Sequence, residues 1–99
     1  MAYTPPTEFE WDEVKSEACF LERGFDFAFA AQAFFDPNRR LQPDNRRADG
    51  EDSFQLVGRV EGRVFVLVYT PRGQAFRIIS ARKANQREVQ RYGSQAHDN

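Results

Sequence analysis

Residues 53–83, "SFQLVGRVEGRVFVLVYTPRGQAFRIISARK", carry the strongest strand signals in the chain. It contains three strand-like runs, which are separated by the short turns "EG" and "PRG". The middle run, "RVFVLVYT", is apolar on both faces, as is typical of a central strand that is covered on both sides. Strands that follow one another through short turns usually pair antiparallel. The stretch therefore predicts an antiparallel meander of three strands.

The residues before the meander predict a short strand, "FEW", and then a first helix. Asp12 is a suitable N-cap, and Gly24 is a suitable residue to end the helix. We expect Trp11 and Val14 to pack into the core. The apolar residues that recur at helical spacing are Trp11, Val14, Ala18 and Leu21.

A second helix is predicted to begin after the N-cap Asp26 and to end at "DPN", because the residue before a proline avoids helical angles. Phe27 and Phe34 are expected in the core. The polar segment that follows, residues 39–52, is either a loop or a weak edge strand. The stripe that lays this helix on the core consists of Phe27, Ala30, Ala31 and Phe34.

A last helix is predicted after the meander. Asn85 and Glu88 have the spacing of a capping box, and Gly93 is expected to end the helix. The order of elements predicts an α+β domain, in which two N-terminal helices and a C-terminal helix pack on one side of a twisted antiparallel sheet.

The composition is that of a single globular domain. The chain has 99 residues, of which 40% are hydrophobic and 29% are charged. It has no apolar run of the ~18–20 residues that a membrane span needs. The single cysteine, Cys19, cannot form an internal disulfide and is expected to be a small buried side chain. We therefore expect a cytoplasmic protein with residues 1–8 as a flexible N-terminus, residues 9–93 as one domain and residues 94–99 as a loose tail.

The two halves of the chain carry opposite charge. Residues 1–52 hold twelve acidic and six basic side chains, whereas residues 53–99 hold three acidic and eight basic ones. Such asymmetry indicates a phosphate-bearing or acidic partner for the basic half. The alternative is that the two halves attract each other within the fold.

The basic residues concentrate in the last strand and the last helix. Strand alternation predicts Phe76, Ile78 and Ser80 on one face and Arg77, Ile79 and Ala81 on the other. If the helices cover the first face, Arg77 stands on the open face, where guanidinium groups suit phosphate oxygens. The alternative is that these cations only face water or pair with acidic residues. The remaining cations of this region are Arg82, Lys83, Arg87 and Arg91.

The inventory of reactive side chains points away from several classes of chemistry. The only histidine, His97, lies in the tail, and no Gly-rich phosphate loop or Ser-His pair is present in the sequence. Acid–base and electrostatic chemistry without a metal or a cofactor remains. RNA can be cut in this way, since its own 2′-hydroxyl attacks the phosphate when a site aligns it and stabilises the developing charge.

Five segments of the chain together resemble the BrnT toxin family of type II toxin–antitoxin systems, over about residues 9–92. They are "FEWDEVK", "GFDFAFAAQAFFDP", "GEDSFQLVG", "VFVLVYTPRG" and "FRIISARKANQREVQRY". The resemblance implies a single BrnT-like domain with a RelE/ParE-like ribonuclease fold and metal-independent cleavage of RNA. It also implies a cognate antitoxin of the ribbon-helix-helix type, which binds the operator DNA and neutralises the toxin.

The resemblance also implies roles for individual residues. Glu51 would be the acid or base, and Arg77 and Arg82 would hold the scissile phosphate. The residues expected to contact RNA are Lys15, Tyr69, Lys83, Arg87 and Arg91. The positions that match the family pattern are Trp11, Asp12, Lys15, Gly24, Glu51, Gly58, Tyr69, Arg77, Ser80, Arg82, Glu88 and Tyr92.

The chain departs from the family pattern at three positions. Glu22 and Arg23 stand where the family typically has lysine and histidine, and Ser53 stands where it usually has arginine. These changes remove groups that would contact or protonate RNA. The alternative function is therefore a catalytically weak or inactive toxin-fold protein, which binds an antitoxin and co-represses transcription.

Overall fold

The structure is a computed structural model. It describes the backbone of residues 8–48 and 51–96 and the side chains of residues 8–44 and 52–93. Of the predicted flexible N-terminus, residues 1–7 lie outside the described residues, and so does the end of the predicted tail, 97–99. No helix within the described ranges is long and apolar enough to cross a membrane.

The described residues form one five-stranded sheet and three α-helices, so the predicted α+β class is confirmed. The strand order in the sheet is β1-β5-β4-β3-β2. A short 3-10 helix, Ala31–Phe35, continues directly from α2. The elements are β1 (Glu8–Trp11), α1 (Glu13–Arg23), α2 (Phe27–Ala30), β2 (Arg40–Ala48), β3 (Glu51–Val60), β4 (Arg63–Arg72), β5 (Ala75–Lys83) and α3 (Gln86–Ala96).

The predicted meander is confirmed, since β3, β4 and β5 pair antiparallel in sequence order. Within the polar segment 39–52, which the sequence predicts to be a loop or an edge strand, residues 40–48 form the edge strand β2, antiparallel to β3. Glu51 and Asp52 already belong to β3. The prediction of a wholly antiparallel sheet is wrong, because β1 pairs parallel to β5. Strand direction at this edge depends on the long connection between the two strands, which short-range patterns do not report.

One face of the sheet, the first face, carries the core. Phe34, Leu56 and Leu67 have no exposed surface, and Ile78 is 1% exposed. Phe27 and Phe34 are buried as predicted, and Trp11 packs against the same cluster. Gly58 lets the 3-10 helix approach the sheet, since a Cβ at this position would lie 2.6 Å from the carbonyl oxygen of Ala33.

The side of α1 that faces the core is not the predicted one. Val14 is 77% exposed and Leu21 is 75% exposed, whereas Ser16 and Cys19 are buried. The Ser16 hydroxyl accepts a hydrogen bond from the backbone N–H of Phe27 at 3.0 Å. The thiol of Cys19 donates to a carbonyl oxygen of β5 at 3.6 Å. Small side chains allow the close approach, so the apolar stripe turns outward.

The third helix lies on the opposite, second face, so the prediction of helices on one side only is wrong. Arg59 neighbours Gly58 in β3 and therefore points to the second face. Its guanidinium lies 5.3 Å from the ring centroid of Tyr92, which belongs to α3. The Tyr92 hydroxyl donates to a carboxylate oxygen of Asp36 at 2.5 Å. These contacts seat α3 against the second face near β3.

The predicted capping box at the start of α3 is confirmed. The N–H of Asn85 donates to Glu88, and the N–H of Glu88 donates to the side-chain oxygen of Asn85, each at 2.9 Å. The predicted end at Gly93 is wrong, because the helix continues to Ala96. A glycine inside a helix costs only about 1 kcal/mol relative to alanine, so it does not by itself stop the helix.

A β-bulge in β5 changes which side chains share a face. Val68 lies opposite Ser80, whereas its neighbour Tyr69 lies opposite Ile78, so Ile79 is an extra residue in the ladder. Strict alternation predicts that Ser80 and Ile78 share a face of the sheet, and this prediction is wrong.

The bulge reverses the predicted faces for the second half of the strand. Ala81 lies opposite Leu67 and is buried on the first face, whereas Ser80 is exposed. Arg82 consequently lies on the second face, as Arg77 does. Without the extra residue, two positions five apart would point to opposite faces.

Candidate functional site

A groove of about 330 Å³ lies where α1 passes the edge of β5. Among the described residues, β1 pairs with β5 only along Ala75–Ile78, so the second half of β5 forms a free edge. The groove extends from α1 across this edge to the buried side chains of Val66 and Val68 on the second face. Its polar lining consists of Lys15, Glu22, Arg23, Gln55, Ser80 and Arg82.

Arg82 is held in a fixed orientation by α3. Its Nη1 donates to Glu88 Oε1 at 2.7 Å, and its Nη2 donates to Glu88 Oε2 at 2.8 Å. Such two-point pairing fixes the plane of the guanidinium. The hydrogen bonds from Arg82 lower the pKa of Glu88 from 4.5 to about 2, and the same bonds raise the pKa of Arg82 above its ordinary value. Both groups are therefore charged at neutral pH.

The groove carries more positive than negative charge. Lys15, Arg23 and Arg82 contribute three cations, and Glu22 is the carboxylate on the α1 side. Glu22 Oε1 lies 3.6 Å from Nη1 of Arg23. The side chain of Glu22 is 70% exposed and that of Arg23 is 48% exposed. An exposed pair of this kind is weak, so Arg23 stays available to a phosphate.

Cys19 also lines the groove, but it is a poor nucleophile. Burial raises the pKa of its thiol above the usual value, so the thiolate is scarce at neutral pH. The expected buried thiol is confirmed, with 3% of its surface exposed.

The structure brings together two of the residues predicted for the site, Lys15 and Arg82. Arg77 lies on the same face as Arg82 but does not line the groove. Its Nη1 lies 3.5 Å from Glu10 Oε1 on the neighbouring strand β1, and its side chain is 33% exposed. This contact is the pairing with an acidic residue of the first half that the sequence left open. Glu51 begins β3, and its side chain lies outside the described residues.

The predicted RNA contact by Tyr69 does not fit its position. The ring is 4% exposed and lies on the first face, where it stacks on Phe76 with centroids 4.6 Å apart. Lys83 lies opposite Phe65, also on the first face, and is exposed at the end of β5. Alternation along the strand separates Lys83 from Arg82, and the bulge separates it from Arg77.

A second, smaller groove of about 80 Å³ lies between α3 and β2. Arg91 lines it together with Arg40, and Gln55 lines both this groove and the first one. Gln42 Nε2 donates to Gln55 Oε1 at 2.8 Å, which holds the amide at the junction. Arg87 is exposed on α3 and lies outside the lining of either groove.

Sequence reasoning missed three of the lining residues, Arg40, Gln55 and Ser80. Gln55 had a usable signal, because it is a polar residue between apolar ones in a strand whose other face is core. The bulge moves Ser80 to the face opposite the one that alternation predicts, and Arg40 lies in the polar segment whose sequence is compatible with either a loop or a strand. Glu22 and Arg23 had been marked only as departures from the family pattern, and both line the first groove.

Within the described residues, no three histidine, cysteine, aspartate or glutamate side chains are grouped so that they could hold a metal ion. What the first groove offers is one cation held in place by an ion pair, Arg82, and two exposed cations, Lys15 and Arg23, beside a polar strand edge. Cations arranged in this way bind phosphate oxygens and stabilise negative charge that develops on them.

Comparison with known proteins agrees with this chemistry. A search of curated proteins gave no match. The family model described as "Ribonuclease toxin, BrnT, of type II toxin-antitoxin system" matches residues 11–88, well over half of the chain. The matched range includes the groove residues Lys15 and Arg82 and ends on Glu88, the residue that holds Arg82. The chain belongs to the family of BrnT ribonuclease toxins of type II toxin–antitoxin systems.

Proposed function

We propose that this protein is a metal-independent endoribonuclease toxin, and that its RNA substrate lies in the first groove. The observation that carries the proposal is the arrangement of Lys15, Arg23 and Arg82 along one groove at the free edge of β5. Arg82 is pre-oriented by its two hydrogen bonds with Glu88, so little side-chain freedom is lost when it binds a phosphate.

The proposed reaction needs no external nucleophile. The 2′-hydroxyl of the RNA gives its proton to water in the groove and attacks the adjacent phosphorus. Glu51, the base that the resemblance implies, begins β3 six residues before Val57, which lies in the same row of the sheet as Arg82. That is about 20 Å along the strand, so the step is not assigned to Glu51. The bond from phosphorus to the 5′ oxygen breaks, and that oxygen takes a proton from Lys15 or from water. Arg82 and Arg23 stabilise the extra negative charge on the phosphate oxygens during this step.

Binding of the flanking nucleotides involves the second groove. The two grooves share Gln55, so an RNA strand that leaves the first groove over the second face meets Arg40 and Arg91. Both are arginines, whose planar fork suits phosphate oxygens. Lys83 is exposed at the end of β5, and Arg87 is exposed on α3. Both contribute only long-range electrostatic attraction of the RNA.

The finer assignments that the resemblance implies are part of the same proposal. They are a RelE/ParE-like fold, a cytoplasmic location, and a cognate ribbon-helix-helix antitoxin that binds operator DNA. The α+β architecture with helices α1 and α2 preceding the meander supports the fold assignment. The family match supports a cognate antitoxin.

The proposal is tested by incubating the purified, partner-free chain with single-stranded RNA in the presence of EDTA. Cleavage to fragments that end in a cyclic phosphate is expected. Lys15→Ala should slow cleavage by about tenfold or more, which is typical of losing one charge-stabilising group. The matched control is Arg63→Ala, which removes an exposed cation outside both grooves.

Two results would count against the proposal. One is a folded wild-type chain that leaves RNA intact, with or without EDTA, which would favour the alternative of an inactive protein that only binds its antitoxin. The other is equal loss of cleavage in Lys15→Ala and Arg63→Ala, which would indicate a general charge effect rather than a site.

A further inference from the structure

The outer side of α1 carries an apolar stripe whose side chains are largely exposed. Val14, Ala18 and Leu21 are spaced i, i+4 and i+7, so they lie on one side of the helix. Val14 is 77% exposed and Leu21 is 75% exposed. Contiguous exposed apolar side chains of this size mark an interaction surface.

The stripe borders the first groove. Ala18 belongs to the stripe and also lines the groove. Lys15 and Glu22, which line the groove as well, follow Val14 and Leu21 directly in the helix and lie on the same flank. A polypeptide segment that covers the stripe therefore reaches the mouth of the groove and excludes RNA from it.

The flank of the stripe away from the groove is acidic. Glu13 and Glu17 are four residues apart, so they lie on the same side of the helix, and both are exposed. A partner that fits this surface has apolar side chains in the centre and lysine or arginine along one edge. A basic protein, such as one that also binds DNA, has this chemistry.

We propose that the stripe is the docking surface for the cognate antitoxin, which places a basic amphipathic segment on α1 and thereby closes the first groove. This inference rests on the proposed function, since it takes the partner to be the antitoxin and the groove to be the RNA site. Neutralisation then follows from steric exclusion, and no change in the conformation of Arg82 is needed.

The test uses the full chain and the protein encoded by the gene adjacent to it. The affinity of the two proteins is measured by calorimetry for the wild type and for the double variant Val14→Ser/Leu21→Ser. The double variant is expected to bind at least about 30-fold more weakly, as for the loss of two central apolar contacts. The matched control is Leu41→Ser/Val89→Ser, which removes two exposed apolar side chains outside α1 and should bind within about threefold of the wild type.

A second measurement separates this inference from the proposed function. The double variant keeps every polar residue of the groove, so its cleavage of RNA should match that of the wild type. Addition of the partner should silence the wild type but leave the double variant active. Charge reversal by Glu13→Lys/Glu17→Lys should also weaken binding, more at low salt than at high salt, whereas Glu61→Lys should not.

The inference is overturned if Val14→Ser/Leu21→Ser and the control Leu41→Ser/Val89→Ser bind the partner equally well. The proposed function is tested separately, by RNA cleavage with the free chain. A wild-type chain that does not bind the partner also overturns it. So does a stripe that pairs with a second copy of the chain, which would appear as a wild-type dimer that the Val14→Ser/Leu21→Ser variant loses.

Discussion

Arg82 and Glu88 form a two-point ion pair, with N···O distances of 2.7 and 2.8 Å, that joins the end of β5 to the first turn of α3. Glu88 is also the second member of the capping box with Asn85. One carboxylate therefore caps a helix, attaches that helix to the sheet and orients the arginine of the candidate RNA site. Under the proposed function, stability and RNA cleavage are therefore coupled at this residue.

Glu88→Gln should reduce stability at neutral pH, because the glutamine keeps a capping group but loses the charge that pairs with Arg82. The expected loss is about 1–2 kcal/mol, after allowance for the partial exposure of the pair. In the folded state the pKa of Glu88 is lowered from 4.5 to about 2. The stabilisation that the charged Glu88 provides is therefore fully present above pH 4.5 and is lost as the pH falls towards 2. Urea unfolding across this range should show the difference between wild type and variant shrinking.

The control for this experiment is Glu17→Gln, which removes an exposed carboxylate on α1. It should leave the free energy of unfolding at neutral pH within about 0.5 kcal/mol of the wild type. A wild-type protein and a Glu88→Gln variant that lose stability in parallel below neutral pH would show that the pair does not titrate as inferred.

Glu22→Gln should raise the affinity for RNA, because the carboxylate lines the groove and repels phosphate. An increase of about two- to fivefold is expected at low salt, and it should shrink at high salt as charges are screened. Fluorescence anisotropy with labelled single-stranded RNA measures it. Glu17→Gln lies on the same helix but outside the groove lining, so equal gains from the two variants would refute a local effect of Glu22.

Tyr92→Phe should destabilise the protein by about 1–2 kcal/mol at neutral pH, because Asp36 loses a buried hydrogen-bond donor. Burial and the hydrogen bond to Asp36 raise the pKa of Tyr92 from 10.0 to about 12. The protonated Tyr92 therefore stabilises the folded state fully below pH 10, and this stabilisation is lost progressively as the pH rises to 12. The wild type should thus lose stability more steeply than the variant over this interval in denaturant titrations.

Gly58→Ala should be clearly destabilising, since its Cβ would lie 2.6 Å from the Ala33 carbonyl oxygen, which belongs to backbone and cannot rotate away. A loss of about 1–3 kcal/mol is expected, as for overpacking in a core. Gly93→Ala is the matched control, because a Cβ there meets no atom within 4 Å and alanine favours the helix. The melting temperature should therefore fall for Gly58→Ala and rise slightly for Gly93→Ala. Melting temperatures that change in the same direction in both variants would contradict this prediction.

Much of the local structure could be predicted because it depends on neighbours in the chain. The side chain of Asp12 accepts from the N–H of Val14 at 2.8 Å, and Asp26 accepts from Phe29 at 2.9 Å, as expected for N-caps. The hairpin turn at Glu61 has the positive φ that a tight two-residue turn requires. The side of α1 that is buried could not be predicted, because it depends on which residues let the helix approach β5.

The meander, the helix caps and the basic C-terminal half could be predicted, since they follow from residue spacing and composition. Which cations lie together depends on contacts between distant parts of the chain. The extra residue Ile79 sets Arg82 on the second face, Glu10 takes Arg77 into an ion pair, and α1 adds Lys15 from far along the chain. Alternation along a strand is a local rule, whereas a bulge and a helix packed beside a strand edge are settled by the energy of the whole fold.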